Sequence, residues 1–228
     1  MKIVQQKHKL PIRNIDTNDK SSGRSKNGPL LPNSIRAVIC GPSGVGKTNL
    51  LYCLLTDPNG ACFENVYIYS KSLYQPKYVQ LEKIMQNIPE IEYHTFSNTS
   101  DVVSPDEANY NSVFIFDDVM CNQQQKMREF FSMGRHKSID CFYLCQSYAK
   151  VPKHLIRDNT NFIVLFKQDE LNIKHIYDDH VSPDISFDEF KTMCRLCWDK
   201  DYDFLTIDKT RNITEGRYRL GFDRFITL

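Results

Sequence analysis

No stretch of this 228-residue sequence approaches the ~20 consecutive apolar residues of a membrane-crossing helix, and its first residues lack the apolar centre of a secretory leader. The expectation is a soluble intracellular protein with no membrane span. Net charge is nearly absent too. The 29 Lys and Arg against 28 Asp and Glu leave +1, so no global field marks a nucleic-acid binder and any basic surface must be local. A disulfide or zinc framework is also missing. Of the eight cysteines, Cys40, Cys53, Cys141 and Cys145 lie in apolar runs, as small buried hydrophobes of a reducing compartment do. Cys194 and Cys197 have the spacing of metal ligands, but no second Cys/His pair completes a zinc site. There is no internal repeat, and no Asn/Thr-Lys-x-Asp base-reading motif follows a core strand, which argues against a GTPase. The remainder, 41% hydrophobic and 25% charged, suits one globular α/β domain with a sizeable core.

Against this plain background one stretch stands out. Gly41-Pro42-Ser43-Gly44-Val45-Gly46-Lys47-Thr48-Asn49 fits the phosphate-loop pattern G-x-x-x-x-G-K-[ST] at every specified position. The glycines let backbone N–H groups close around an anionic phosphate, and the helix beginning near Lys47 points its positive dipole end at the same charge. Lys47 is placed to reach the β- and γ-phosphates, and the Thr48 hydroxyl to ligate Mg²⁺. The apolar run at 37–40 reads as a buried strand before the loop and residues 49–55 as the helix after it. The implied ligands are ATP and Mg²⁺.

Residues 1–33 are polar and rich in Lys and Arg, and the Ser/Gly segment at 21–28 has nothing to bury, so this part reads as a flexible basic arm. It would touch DNA or a partner, or simply lead into the first strand. Residues 34–228 read as the P-loop domain, with a core at 35–170 and a helical and hairpin addition at 171–228. After a turn at 57–60, a β-rich run at 65–69 precedes helical spacing at 77–87 and an alternating strand at 91–96. Ser104-Pro105-Asp106-Glu107 has the form of a helix cap.

Residues 112–116 then run apolar into Asp117 and Asp118, as a buried parallel strand ending at the ligand edge of a sheet would. This resembles a Walker B motif, with Asp117 for the metal and Asp118 to orient or deprotonate the attacking water. An amphipathic helix at 123–133 closes in Gly134, Arg135, His136 and Lys137. The strand at 139–145 ends in Gln146, and a polar amide in this place resembles the γ-phosphate sensor of additional-strand P-loop ATPases, with capping of the next segment as its alternative. A short helix and turn cover 150–160, and 161–166 is a fifth core strand. A helix at 169–179, a second at 186–198 opened by a capping box at Ser186, an edge strand at 201–207 and a hairpin partner at 217–220 complete the chain.

The run from Phe131 through Gly134, Arg135, Gln146 and Tyr148 to Asp158 and Asn159 resembles the poxvirus-type genome-packaging ATPases of the FtsK–HerA superfamily. The similarity covers roughly 35–170. It implies a RecA-like P-loop NTPase fold of the additional-strand class, with a central, mostly parallel sheet flanked by helices. It also implies an ATP-driven homo-oligomeric ring that moves double-stranded DNA into a preformed capsid. Capsid or portal-vertex proteins would be its partners, and the host nucleus or cytoplasm its place of action. By the same resemblance Lys47 and Thr48 serve the phosphates and metal, Asp117 the metal, Asp118 the water and Gln146 the γ-phosphate. A neighbouring subunit would supply an arginine; Arg135 and Arg157, both expected near the ligand edge, are the candidates, Arg157 slightly ahead. Many members carry Asp-Glu where this chain has Asp117-Asp118, which leaves the role of Asp118 less secure than that of Asp117. Candidate DNA contacts are Lys150, Lys153 and His154, or Arg135, His136 and Lys137. The phosphate loop alone also resembles that of guanylate-type kinases, so a nucleotide kinase is the main alternative, and a non-hydrolysing ATP-binding assembly subunit the other.

Overall fold

The apolar runs become strands, and the amphipathic stretches between them become helices that cover both faces of the resulting sheet. The computed structural model of the chain describes residues 25–117, 119 and 125–227. In chain order the elements are β1 (Arg36–Cys40), α1 (Lys47–Thr56), β2 (Asn65–Ser70), α2 (Pro76–Gln86), β3 (Glu92–Phe96), β4 (Ser112–Asp117) and α3 (Gln125–Met133). They continue with β5 (Asp140–Cys145), β6 (Phe162–Leu165), α4 (Glu170–Ile176), α5 (Phe187–Cys197), β7 (Leu205–Asp208), β8 (Tyr218–Leu220) and β9 (Arg224–Phe225). Among the described residues these strands form a nine-stranded sheet in the order β3-β2-β4-β5-β1-β6-β7-β8-β9. β1 to β6 are parallel, so all six end at one edge, while β7, β8 and β9 add on antiparallel.

The alternation of strand side chains divides the core into two layers. Val38 and Cys40 of β1 enter one layer with Phe130 and Phe131 of α3, Ile176 of α4 and Phe190 of α5. Ala37 and Ile39 enter the other with Leu51 and Leu55 of α1 and Tyr78 and Leu81 of α2. Burial on both faces explains why the central strands read as unbroken apolar runs. Cys194 and Cys197 belong to the first layer as free thiols, and among the described residues no cluster of His, Cys, Asp and Glu could hold a metal. No helix among the described residues is long and apolar enough to cross a membrane.

Three expectations need correction. The arm read over 1–33 does not extend to its last residues: 25–33 are packed on the domain, and 1–24 lie outside the described residues. The cause is Asp140, a carboxylate only 1% exposed at the start of β5, which must find partners. It accepts from the Ile35 amide (2.6 Å) and Asn27 Nδ2 (3.1 Å) and pairs with Lys26 at 3.0 Å. Burial still pushes its carboxyl above the ordinary range, with the charge of Lys26 opposing. Second, the strand read as an edge is interior, because β7 lies between β6 and β8, and the two-residue β9 forms the edge. Third, the helix read over 169–179 gives way after Ile176 to a wider π turn, Tyr177–Val181. The capping box at Ser186 is present, with Glu189 bonded back to the Ser186 amide.

Candidate functional site

β1 delivers the phosphate loop between its two neighbours. The Gly41 amide donates to the Cys145 carbonyl at the end of β5 (3.0 Å), and the Phe166 amide after β6 donates to Cys40 (2.9 Å). Side chains are excluded here by space and by backbone. A Cβ on Gly41 would lie 2.7 Å from Phe166 Cβ and 2.8 Å from Val45 Cγ2, and Gly46 caps α1 at φ +101°, in the left-handed region. Gly46 accepts the first helical bond from Leu50, and the first turn of α1 carries no acidic residue that would compete with an anion for its N–H groups. Lys47 Nζ donates to the carbonyls of Gly41 (2.6 Å) and Pro42 (2.8 Å), bracing the mouth of the loop.

A cleft of about 500 Å³ opens above this loop. Ser43, Gly44, Gly46, Lys47 and Thr48 line one side, with Asp117 and Gln146 facing them. Asp117 ends β4 and is 9% exposed; Gln146 follows the last residue of β5 and is exposed. The sheet order explains how the two meet. β5 follows β4 in sequence yet inserts between β4 and β1, so the strand that separates the two motif strands is the one that carries Gln146. The strands read at 65–69 and 91–96, though they fall between the motifs in sequence, lie outside β4 instead.

Three site residues were not foreseen. Tyr78 of α2 donates to Asp117 Oδ2 at 2.5 Å, while Gln75 and Lys77 at the start of α2 line the cleft. The available signal was Pro76 at the first helical position, one short turn after a parallel strand, which puts a helix N-terminus at the ligand edge. The loop behind Gln146 is also held. Asn172 Oδ1 accepts from Ser147 Oγ (3.1 Å) and the Ala149 amide (2.9 Å), and Asp169 accepts in turn from Asn172 Nδ2. Tyr148 donates to Asp179 (3.1 Å), and its hydroxyl lies 2.6 Å from His180 Nε2. Burial, with the charge of Lys209, pushes the His180 imidazole down to about 3, so this buried ring is neutral at physiological pH.

The remaining sequence-derived residues fall elsewhere. Val45 and Asn49 line a second cavity on the far side of the loop. Pro42 contributes its carbonyl to Lys47. Neither arginine is at the ligand edge. Arg157 pairs with Asp179 at 2.8 Å beneath the face of Tyr148, its side chain only 12% exposed. The neighbouring Asn159 carbonyl accepts from Arg36 at the start of β1, which puts this turn near the opposite edge. Arg135, His136 and Lys137 form a 3₁₀ turn beside the starts of β4 and β5, where the Asn111 amide donates to Lys137. The length of β5, six residues or about 20 Å, separates them from Gln146. Arg135 and His136 are exposed, whereas Lys137 Nζ donates to the Asp106 carbonyl. Lys150, Lys153 and His154 form an exposed group after β5, with Lys153 3.9 Å from Asp179 and His154 3.7 Å from Asp158. Asp118 lies outside the described residues.

Residues 24–183 match the family described as Poxvirus A32 protein. The chain belongs to that family. Solved structures share the architecture of this A32-family chain. The genome packaging NTPase B204 from Sulfolobus turreted icosahedral virus 2, in complex with ATP-gammaS, superposes with a TM-score of 0.55 at 10% identity over 86% of this chain and 100% of its own. B204, the DNA-packaging ATPase from Sulfolobus Turreted Icosahedral Virus, gives 0.52 at 16% identity over 76% and 92%. At these identities the likeness is one of fold. No curated protein matches the sequence directly. The resemblance carried by residues 131–159 is borne out by the family match, and the RecA-like P-loop fold by these neighbours.

Proposed function

We propose that this A32-family chain is an ATP-hydrolysing motor that moves double-stranded DNA into a preformed viral capsid, working as a homo-oligomeric ring. The observation that carries this reading is the convergence of the phosphate loop, Asp117 and Gln146 on one cleft, through the insertion of β5 between β1 and β4. The likeness to B204, a genome packaging NTPase in one virus and a DNA-packaging ATPase in the other, supports it.

The chemistry divides among the chain's own groups. The loop amides and the N-terminal end of α1 hold the phosphates, and Lys47 places its charge at the same end. Thr48 and Asp117 offer two hard oxygen donors in one cleft, which suits Mg²⁺, an ion that completes its shell with water and phosphate oxygens. When bound, the ion neutralises charge developing on the phosphates. The Tyr78 hydroxyl holds the Asp117 carboxylate in place. Gln146, which precedes the segment that Asn172 holds at Ser147 and Ala149, hydrogen-bonds at the γ-phosphate end, and Asp118 orients the attacking water. Arg135, exposed at the opposite edge, is the candidate to enter a neighbouring subunit's cleft, since Arg157 is committed to Asp179. Lys150, Lys153 and His154 supply DNA phosphate contacts that carry no sequence preference.

ATP hydrolysis measured with and without long duplex DNA tests the motor. Turnover rises several-fold with DNA and vanishes in Lys47→Ala. Turnover indifferent to DNA, with phosphate transferred to an added nucleoside monophosphate, would replace the motor by a kinase.

A further inference from the structure

We propose that the second cavity, between the phosphate loop and the C-terminal strands, is the purine-base subsite of the nucleotide, with Tyr202 stacking on the base. The inference rests on the ATP-binding reading above and adds to it a site that the phosphate-loop motif does not specify.

The cavity measures about 620 Å³ and shares Gly44, Gly46 and Lys77 with the phosphate cleft, so the two spaces adjoin across the loop. Their chemistry is opposite. Asp117 and Gln146 line only the first and mark it as the hydrolysis end of a triphosphate. A bound nucleotide must then extend its base away from β4 and β5. The second cavity lies on that side, built from Phe166 after β6 together with Phe204 and Phe222, which flank β7 and β8. Phe204 packs against Phe166 at 5.4 Å and against Phe222 at 5.1 Å, giving an aromatic floor. Asn49 is also in the wall, and its amide can both donate to and accept from the polar edge of a base.

Tyr202 is the strained member of this wall. It holds φ +68°, and a left-handed backbone is an outlier for a bulky aromatic residue. The turn that holds it closes with the Asp203 amide on the Lys200 carbonyl at 3.2 Å. The ring reaches back over the loop, its Cδ1 3.5 Å from where a Cβ on Gly46 would stand, yet the residue is 71% exposed. Burial of the ring therefore does not account for the strained turn. Backbone strain of this kind concentrates at ligand clamps. An exposed aromatic plate beside a phosphate loop and above an aromatic floor fits a flat base with apolar faces and a polar rim.

The test measures binding of ATP and of inorganic tripolyphosphate to the full chain, wild type against Tyr202→Ala and Tyr202→Phe. Tripolyphosphate reports the phosphate cleft alone. The expected result is that Tyr202→Ala weakens ATP roughly 5- to 150-fold, the range for loss of one aromatic–base stack, and leaves tripolyphosphate unchanged. Tyr202→Phe, which keeps the ring, retains ATP affinity. Equal weakening of both ligands would overturn the inference, because it would indicate a distorted loop. Wild-type ATP affinity in Tyr202→Ala would overturn it while leaving the ATP-binding reading intact. Failure of the wild type to bind either ligand would remove both.

Discussion

Asp117→Asn lowers the rate of ATP hydrolysis by about 10³-fold, the scale of several kcal/mol of lost charge stabilisation at a transferring phosphoryl group. The fold and the ATP affinity largely survive. The asymmetry follows from where Asp117 sits. Its carboxylate is 9% exposed at the end of β4, and it accepts the Tyr78 hydroxyl at 2.5 Å. Asparagine has the same shape and its amide oxygen can still accept that bond, so β4 and α2 keep their contact. What disappears is the negative charge facing Lys47 and Thr48 across the cleft. In the proposed reading the loop amides and Lys47 hold the phosphates, and the substitution does not touch them. Phosphate release at saturating ATP, set beside an ATP titration, measures both quantities. Turnover within a few-fold of wild type would remove Asp117 from the metal role.

Arg219→Ala destabilises the protein by about 3–5 kcal/mol, the usual cost of leaving one partner of a buried ion pair alone. Both members of the pair are 0% exposed, with Arg219 Nη2 2.6 Å from Asp208 Oδ2. The guanidinium also donates to the carbonyls of Gly216 and Leu30, each at 2.6 Å. One side chain thus ties β8 to β7 and both to the segment before β1, and Arg211 adds a second link from Asp208 to Pro29. Truncation leaves the Asp208 carboxylate buried with, among the described residues, Arg211 and Thr210 as its side-chain partners. For a chain of this size the loss lowers the melting temperature by roughly 10 °C. A thermal melt reads it directly, and an unchanged midpoint would show that this pair does not hold the C-terminal strands.

The sequence displayed the site unevenly, for reasons the structure makes plain. The phosphate loop was legible because side-chain crowding at Gly41, from Phe166 and Val45, and the left-handed turn at Gly46 both favour glycine. Asp117 and Gln146 were legible because each ends an apolar run long enough to be a buried strand. The spatial insertion of β5 between β1 and β4 leaves no local trace, since pairing partners such as Cys40 and Cys145 are far apart in the chain. The position of Arg157, away from the ligand edge, was hidden for the same reason. A turn arginine looks available until its partner Asp179 arrives from a later π turn. Tyr78 was read from its helical spacing as a core residue, which its ring is, while its hydroxyl serves the site. The packing of residues 25–33 depended on Asp140, more than 100 positions away, and β9 at two residues is too short for any periodicity.

The proposed motor uses this cleft to move along duplex DNA. Displacement of a third strand from a triplex placed on long duplex DNA measures movement itself. The expected displacement requires ATP and is lost in Lys47→Ala. Vigorous ATP hydrolysis on the same DNA with the third strand left in place would contradict it.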